Sequence, residues 1–337
     1  MVLPHSKGDL YHKYRPCKFG EIAGHKALVN SIRKSVTSKE PSQAYLLIGA
    51  SGTGKTTTAR IMAMSLNCDD KSEDGDPCLA CTPCRAILSG HCTDMIELNA
   101  ADNRGINDIR AITQNMPLMP MQLNNKIYIL DEAHQLTNEA QSSLLKVLEE
   151  APSHVFIILC STHPKKILPT VKNRCQKFTF TSLKQSEMLG LIEEVTTLEG
   201  EELPRQAYEA IADAAGGSPR AALVSLQQVL QMDSRELTDI LSLIGGEDDT
   251  DPNVIKLCFA LNNRNVKWDK VVDAFKEVKH IGPPAIGMIM AGFYRNQLLK
   301  SGQLTTANKL KMFLEPFPEG KLGENQLVHA LFVANEG

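Results

Sequence analysis

Between residues 44 and 180, short apolar runs alternate with amphipathic stretches: AYLLIG at 44–49, MIELNA at 95–100, KIYILD at 126–131, VFIILCS at 155–161 and QKFTF at 176–180. Runs of this length, rich in β-branched and aromatic residues and bounded by polar turns, predict strands. Uninterrupted ones such as IYIL and VFIIL predict strands buried on both faces, as in a parallel sheet covered by helices. The stretches 55–67 and 138–150 predict two of those helices, and in the second Leu144, Leu145 and Leu148 recur on one face. The pattern is that of an α/β domain with a five-stranded parallel sheet.

After about residue 181 the strand pattern stops. Residues 185–232 predict three helices, with Gly216-Gly217-Ser218-Pro219 supplying a break, a serine cap and a proline at the first helical position. Beyond about residue 235, LTDILSLIG, VIKLCFALN, WDKVVDAFKEV and PPAIGMIMAGFYRNQLL continue as helices punctuated by Gly, Asn and Pro. The chain thus reads as three parts: 1–180, 181–235 and 236–337.

Composition narrows the class. The 337 residues carry a formal charge of -3, with 42% hydrophobic and 22% charged residues, which is ordinary for a globular protein of two or three domains. No run approaches the roughly 18 apolar residues of a membrane span. The start MVLPHSKGDLYHKYRP lacks a hydrophobic signal core, so an intracellular chain without a membrane partner is expected. Near-neutral net charge leaves nucleic acid open, because a local basic groove can hold phosphates on an otherwise acidic surface.

Gly49-Ala50-Ser51-Gly52-Thr53-Gly54-Lys55-Thr56 fits the phosphate-loop pattern directly after a predicted strand and before a predicted helix. Glycines let backbone N–H groups close around a polyphosphate, and the helix N-terminus adds a favourable dipole. Lys55 would reach the β- and γ-phosphates of ATP, Thr56 would offer its hydroxyl to Mg²⁺, and Thr57 extends the nucleotide-binding turn. At the end of a second strand, Asp131 would hold Mg²⁺ directly or through water, and Glu132 would polarise the water that attacks the γ-phosphate. An ordinary strand end with solvated acids is the alternative.

Nine cysteines are present, and four of them, Cys68, Cys78, Cys81 and Cys84, crowd one segment with Pro77 and Pro83 between. Four thiolates suit tetrahedral Zn²⁺, and such a closed set is structural rather than catalytic. An iron–sulfur cluster is the alternative, although Leu88-Ser89 stands where a ferredoxin run would carry Cys-Pro. Cys17, Cys92, Cys160, Cys175 and Cys258 are dispersed and read as small buried hydrophobes.

The phosphate loop, the Asp-Glu-Ala-His at 131–134, the Cys quartet between the first two strands, Tyr14-Arg15-Pro16 and Asn173-Arg174-Cys175 together resemble AAA+ clamp-loader ATPases, of the gamma/tau type of bacterial DNA polymerase III. Residues 99–106, Asn-Ala-Ala-Asp-Asn-Arg-Gly-Ile, are more similar to replication factor C. The mixture implies a bacterial cell or phage-infected host, and a cytoplasmic protein.

The resemblance implies an AAA+ P-loop domain at 1–180 containing the zinc module at 68–84, a three-helix lid at 181–235 and an α-helical oligomerisation collar at 236–337. It implies that Arg174 reaches the ATP of a neighbouring subunit, although Asn173 replaces the family's serine. Thr162 corresponds to the first sensor residue, with Ser161 its nearest competitor, and Arg220 to the lid arginine that senses the γ-phosphate. Tyr14, Arg15, Pro16, Ile22, Ala23 and Gly24 correspond to the adenine pocket. Asn103 and Arg104 correspond to a DNA-backbone contact; a solvated loop arginine is the alternative reading of Arg104. The implied function is a DNA- and clamp-stimulated ATPase that loads a sliding clamp on primer–template DNA, within a homo- and hetero-oligomeric, pentameric ring. Two other readings are a DEAH-type helicase and a non-hydrolysing scaffold subunit.

Overall fold

The structure, a computed structural model, describes residues 8–102, 104–232, 237–244, 252–262, 267–301 and 304–336. The chain forms two compact units: residues up to Glu202 together with Ile211–Leu230, and Leu203–Ala210 together with Gln231 onward. The expected boundary at 235–236 falls on or beside residues outside the described ones.

The first unit holds the five expected strands, β1 (Ala44–Ile48), β2 (Met95–Asn99), β3 (Lys126–Asp131), β4 (Val155–Ser161) and β5 (Gln176–Thr179). They form one sheet in the order β2-β3-β4-β1-β5, every pair parallel. Its helices are α1 (Leu10–Lys13), α2 (Lys26–Val36), α3 (Lys55–Asn67), α4 (Thr82–Ser89), α5 (Ile106–Asn115), α6 (Asn138–Glu149), α7 (Pro169–Lys172), α8 (Gln185–Leu198) and α10 (Pro219–Leu230), while α9 (Arg205–Ala214) is divided between the units.

Side chains alternate across the strands, so one sheet generates two cores. Tyr45, Leu47, Ile129 and Ile158 face Ile32 of α2 and Ile61 and Met62 of α3. Leu46, Leu130, Ile157 and Leu159 face Ile109 of α5, Leu144 of α6 and Val171 of α7. Burying a side chain of this kind contributes about 1.5–3 kcal/mol, and β3 and β4 bury nearly every residue, which explains their continuous apolar runs. β5, at an edge, buries only Phe178 and exposes Gln176, Lys177 and Thr179. Cys92, Cys160, Cys175 and Cys258 are buried; Cys17 is half-buried, its thiol near the Arg15 carbonyl.

A parallel sheet gathers all strand C-termini at one edge. The phosphate-loop segment leaves β1 there, Asp131 ends β3 there and Ser161 ends β4 there. The expected break before α10 is also found: Gly216 and Gly217 take positive φ, and the Ser218 hydroxyl accepts the Ala221 N–H at 3.4 Å.

The described residues of the second unit contain helices and turns: part of α9, then α11 (Leu237–Ile244), α12 (Pro252–Asn262), α13 (Trp268–Val278), α14 (Pro283–Ser301), α15 (Leu304–Phe313) and α16 (Lys321–Glu336). Leu257, Val271, Met290, Tyr294, Phe313 and Leu327 form a core shared by α12 to α16.

Candidate nucleotide site and cysteine cluster

The phosphate loop is shaped by its glycines. The Gly49 N–H donates to the Ser161 carbonyl at 3.2 Å, and a Cβ on Gly49 would lie 2.7 Å from the Phe180 carbonyl oxygen. Gly52 and Gly54 take φ of +73° and +97°, the left-handed region that favours glycine. Ala50 and Ser51 are exposed, whereas Thr53 is buried with its hydroxyl on the Ala50 carbonyl at 2.8 Å. α3 then starts at Lys55, and its first-turn N–H groups, those of Lys55, Thr56 and Thr57, have no acceptor one turn earlier within the helix.

Lys55 is 5% exposed and donates to the Ala50 carbonyl at 2.8 Å. Burial lowers its pKa, and nearby Asp131 and Glu132 oppose the shift. An ammonium buried beside carboxylates stands ready for a polyanion. Thr56 donates its hydroxyl to Asp131 Oδ2 at 2.6 Å, while Asp131 Oδ1 accepts the Glu132 N–H at 2.9 Å. Thr56 and Asp131 therefore present a hydroxyl and a carboxylate at one point, the donor set that hard Mg²⁺ takes.

Glu132 has φ of +49°, a strained conformation for a non-glycine residue, at the turn after β3. Its Oε2 accepts from Thr162 Oγ1 at 2.9 Å and lies 3.1 Å from His134 Nδ1. Of the two hydroxyls at the end of β4, Thr162 is the one on Glu132; Ser161 is buried, with its Oγ accepting the His163 N–H at 3.2 Å. Burial lowers the pKa of His134, with Glu132 opposing, which favours a neutral ring donating through Nδ1. Sequence reasoning passed over His134, although its place in the Asp-Glu-Ala-His run was a signal. It also missed Arg60, held to Glu97 by two bonds of 2.7 Å one strand away from Asp131.

One other segment meets the loop directly. A Cβ on Gly52 would fall 2.2 Å from Ser218 Oγ and 3.2 Å from Arg220 Cβ, which brings the start of α10 against the phosphate loop. Gly24, at φ of +64°, would place a Cβ 2.5 Å from Leu183 Cδ2, and Leu183 donates its N–H to the Gly217 carbonyl at 3.0 Å. Pro16, Ile22 and Ala23 are half-buried. Tyr14 is drawn toward α8: its hydroxyl and Lys13 Nζ both bond Glu199 Oε1. Arg15 instead donates to the Tyr11 hydroxyl at 2.5 Å.

Arg174 lies apart from this crevice. It follows α7 and precedes β5, whose Gln176 pairs with Tyr45 near the start of β1, so it stands by the N-terminal edge of the sheet. Its guanidinium binds Glu149 Oε1, through Nε at 2.7 Å, and the Thr170 carbonyl at 2.9 Å. Arg104 is exposed and donates to the Ala101 carbonyl at 2.7 Å; Asn103 lies outside the described residues. The adjoining α5 N-terminus is occupied by its own acid, with Asp108 Oδ2 accepting the Gly105 N–H at 3.2 Å.

The four cysteine Sγ atoms lie within 4.8 Å of one another. Tetrahedral Zn²⁺ at about 2.3 Å from each sulfur requires S···S separations of about 3.8 Å, so the quartet needs little adjustment to fit. Cys68 Sγ accepts the Cys78 N–H at 3.2 Å, and Cys78 Sγ accepts those of Ala80 and Cys81 at 3.4 and 3.3 Å. Burial pushes the Cys78 thiol up, but these N–H donors and the neighbouring thiols bring it down to about 7. Backbone donors aimed at sulfur favour thiolate, the metal-ligating form.

Residues 24–184 match the family model described as DNA polymerase III, delta subunit. The tau subunit of DNA polymerase III from Bacillus subtilis is 33% identical over 294 residues, covering 86% of this chain and 51% of the relative. The gamma/tau subunit from Mycoplasma pneumoniae is 40% identical over 220 residues, covering 65% of this chain and 32% of the relative. The chain thus spans about a third to a half of the length of these relatives. Among solved structures, the Thermotoga maritima RuvB Holliday junction branch migration motor superposes with a TM-score of 0.51 at 16% identity, over 74% of this chain and 79% of that one. That likeness identifies the fold, the AAA+ arrangement around a phosphate loop.

Proposed function

We propose that this chain, an AAA+ clamp-loader subunit by its kinship with DNA polymerase III gamma and tau, is the ATP-hydrolysing motor that opens a sliding clamp and releases it on primer–template DNA. The observation that carries the reading is the meeting of Lys55, Thr56, Asp131, Glu132 and Thr162 at one sheet edge, while Arg174 stands by the other. β1, five residues long, spans about 16 Å, so an arginine before β5, level with the start of β1, is poorly placed for the phosphates of its own loop. It suits the phosphates of a neighbour.

In this reading the loop 49–57 cradles ATP and Lys55 holds its terminal phosphates. Thr56 and Asp131 would hold Mg²⁺, whose charge would offset that of the phosphates. Glu132 takes a proton from the attacking water, and Thr162 keeps its carboxylate turned toward that water. Arg220 meets the terminal phosphate from the lid, and Tyr14–Pro16 with Ile22–Gly24 flank the base. Cys68, Cys78, Cys81 and Cys84 hold a structural zinc. Arg104, with Asn103, touches the DNA backbone. The chain acts in the cytoplasm in a pentameric ring with further subunits, its ATPase domain at 1–180, lid at 181–235 and collar at 236–337.

The test is ATPase activity of the chain assembled with its partner subunits. Clamp and primer–template together should stimulate turnover, and Arg174→Ala should poison mixed assemblies, since a donated guanidinium is worth about 10³–10⁵ in rate in comparable GTPases. Full-speed hydrolysis by the isolated chain, indifferent to clamp and DNA, would refute the proposal.

A further inference from the structure

Two guanidinium groups lie against one aromatic ring, that of Tyr11 on α1. Arg220 Cζ lies 4.6 Å from the centroid of Tyr11, and Arg15 Cζ lies 5.0 Å from it. The ring is fixed in place. Arg15 donates to its hydroxyl at 2.5 Å, and Gln227 straps α1 to α10 by accepting the Leu10 N–H at 2.9 Å and donating to Asp9 at 3.1 Å. Arg220 Cβ in turn lies 3.2 Å from the position a Cβ on Gly52 would take.

A guanidinium resting on a ring uses its flat face and leaves the N–H donors in its plane available. Stacking and phosphate binding are therefore compatible in the same side chain. Among the described residues Arg220 makes no ion pair, and a second cation stands on the same ring, so this corner favours an added anion.

We propose that Tyr11 is a positioning residue for Arg220, whose Cβ packs against the phosphate loop: the ring orders the guanidinium with its donor edge free, and so sets how strongly the site distinguishes a nucleoside triphosphate from a diphosphate. This rests on the reading of Arg220 as the residue that meets the terminal phosphate. The physical gain is order. An arginine already held in place loses less rotamer freedom when its ligand arrives.

The experiment is calorimetric titration of the full chain with Mg²⁺ and either AMP-PNP or ADP. Tyr11→Leu should weaken AMP-PNP about three- to tenfold, in line with a lost cation–π contact, and leave ADP within about twofold. Tyr11→Phe, which keeps the ring and loses only the bond from Arg15, should restore the discrimination. Arg220→Ala should show a triphosphate-selective loss at least as large, and adding Tyr11→Leu to it should cost nothing more. A selective loss in Arg220→Ala with none in Tyr11→Leu overturns the role of Tyr11 alone. No selective loss in Arg220→Ala removes the reading of the lid arginine, and the role of Tyr11 with it. Equal weakening of both nucleotides by Tyr11→Leu makes the ring a scaffold only and also overturns the proposal.

Discussion

Thr162 donates its hydroxyl to the Glu132 carboxylate over 2.9 Å, across the C-terminal ends of two adjacent strands. A carboxylate that must face a water cannot be left to rotate, and a misplacement of about 1 Å can cost about 10²-fold in rate. Thr162→Val keeps the shape and removes the donor. It is expected to lower kcat about tenfold or more with KM for ATP within about twofold, whereas Thr162→Ser should retain most of the rate. Steady-state ATPase kinetics on the assembled complex read the split.

Glu132→Gln keeps the length of the side chain and can still accept from Thr162, but it cannot take a proton. Nucleotide affinity is expected to stay the same while turnover falls by about 10²–10⁴, the usual share of general-base catalysis. Single-turnover hydrolysis beside equilibrium ATP binding checks both halves. Unchanged turnover would remove Glu132 from the role.

Gly52 bears a heavier constraint than the loop pattern alone requires. A Cβ there would meet Ser218 Oγ at 2.2 Å on a backbone with φ of +73°. Gly52→Ala is expected to cost about 1–2 kcal/mol from the left-handed conformation alone and to push the start of α10 off the loop. Thermal melts should fall, and nucleotide should restore less stability than it does in the unaltered chain. A melt and a nucleotide-induced shift equal to those of the unaltered chain would show that loop and lid do not need this close approach.

Acid should destabilise the fold through two histidines. Burial holds His25 and His134 below the ordinary value of 6.5, with Glu187 and Glu132 resisting the shift. Below pH about 6.5 the unfolded chain binds protons that these folded imidazoles refuse, so stability falls as pH drops through that value and levels off above it. Melting temperature measured from pH 7.5 to 5.5 is expected to decline, and His25→Asn, which tolerates the positive φ of 51° there, should flatten part of the slope. An unchanged slope would exclude His25 as a source.

Much of this was legible in the chain itself. Strands such as VFIILCS announced themselves because both faces are buried, and the loop 49–56 was readable because its glycines serve a backbone shape that few other sequences adopt. Chemistry carried by local spacing, as in the Cys quartet, was legible for the same reason. Tyr11 and His134 were not singled out, since their meaning lies in what the topology brings near them: Arg220, 209 positions after Tyr11 in the chain, and Ser161 on another strand. Arg174 illustrates the converse. Its motif was visible, yet its distance from the loop of its own chain follows only from the register of β5 on β1.

The cysteine cluster gives the most separable prediction. Cys68 caps α3 and Cys84 lies within α4, so a metal joining them would tie the far end of the phosphate-loop helix to the segment before β2. The chain purified without chelator is expected to carry one zinc, measured by elemental analysis. Because each thiol must lose its proton to bind, zinc should be held at pH 7.5 and released as pH falls toward 5, even with Cys78 already lowered to about 7. Chelation or Cys84→Ser should lower the melting temperature and strip hydrogen-exchange protection from α4 first. ATP affinity should change by no more than about threefold, since the proposed nucleotide site lies at the opposite end of α3. Iron in place of zinc, or protection in α4 that survives metal removal, would overturn the assignment.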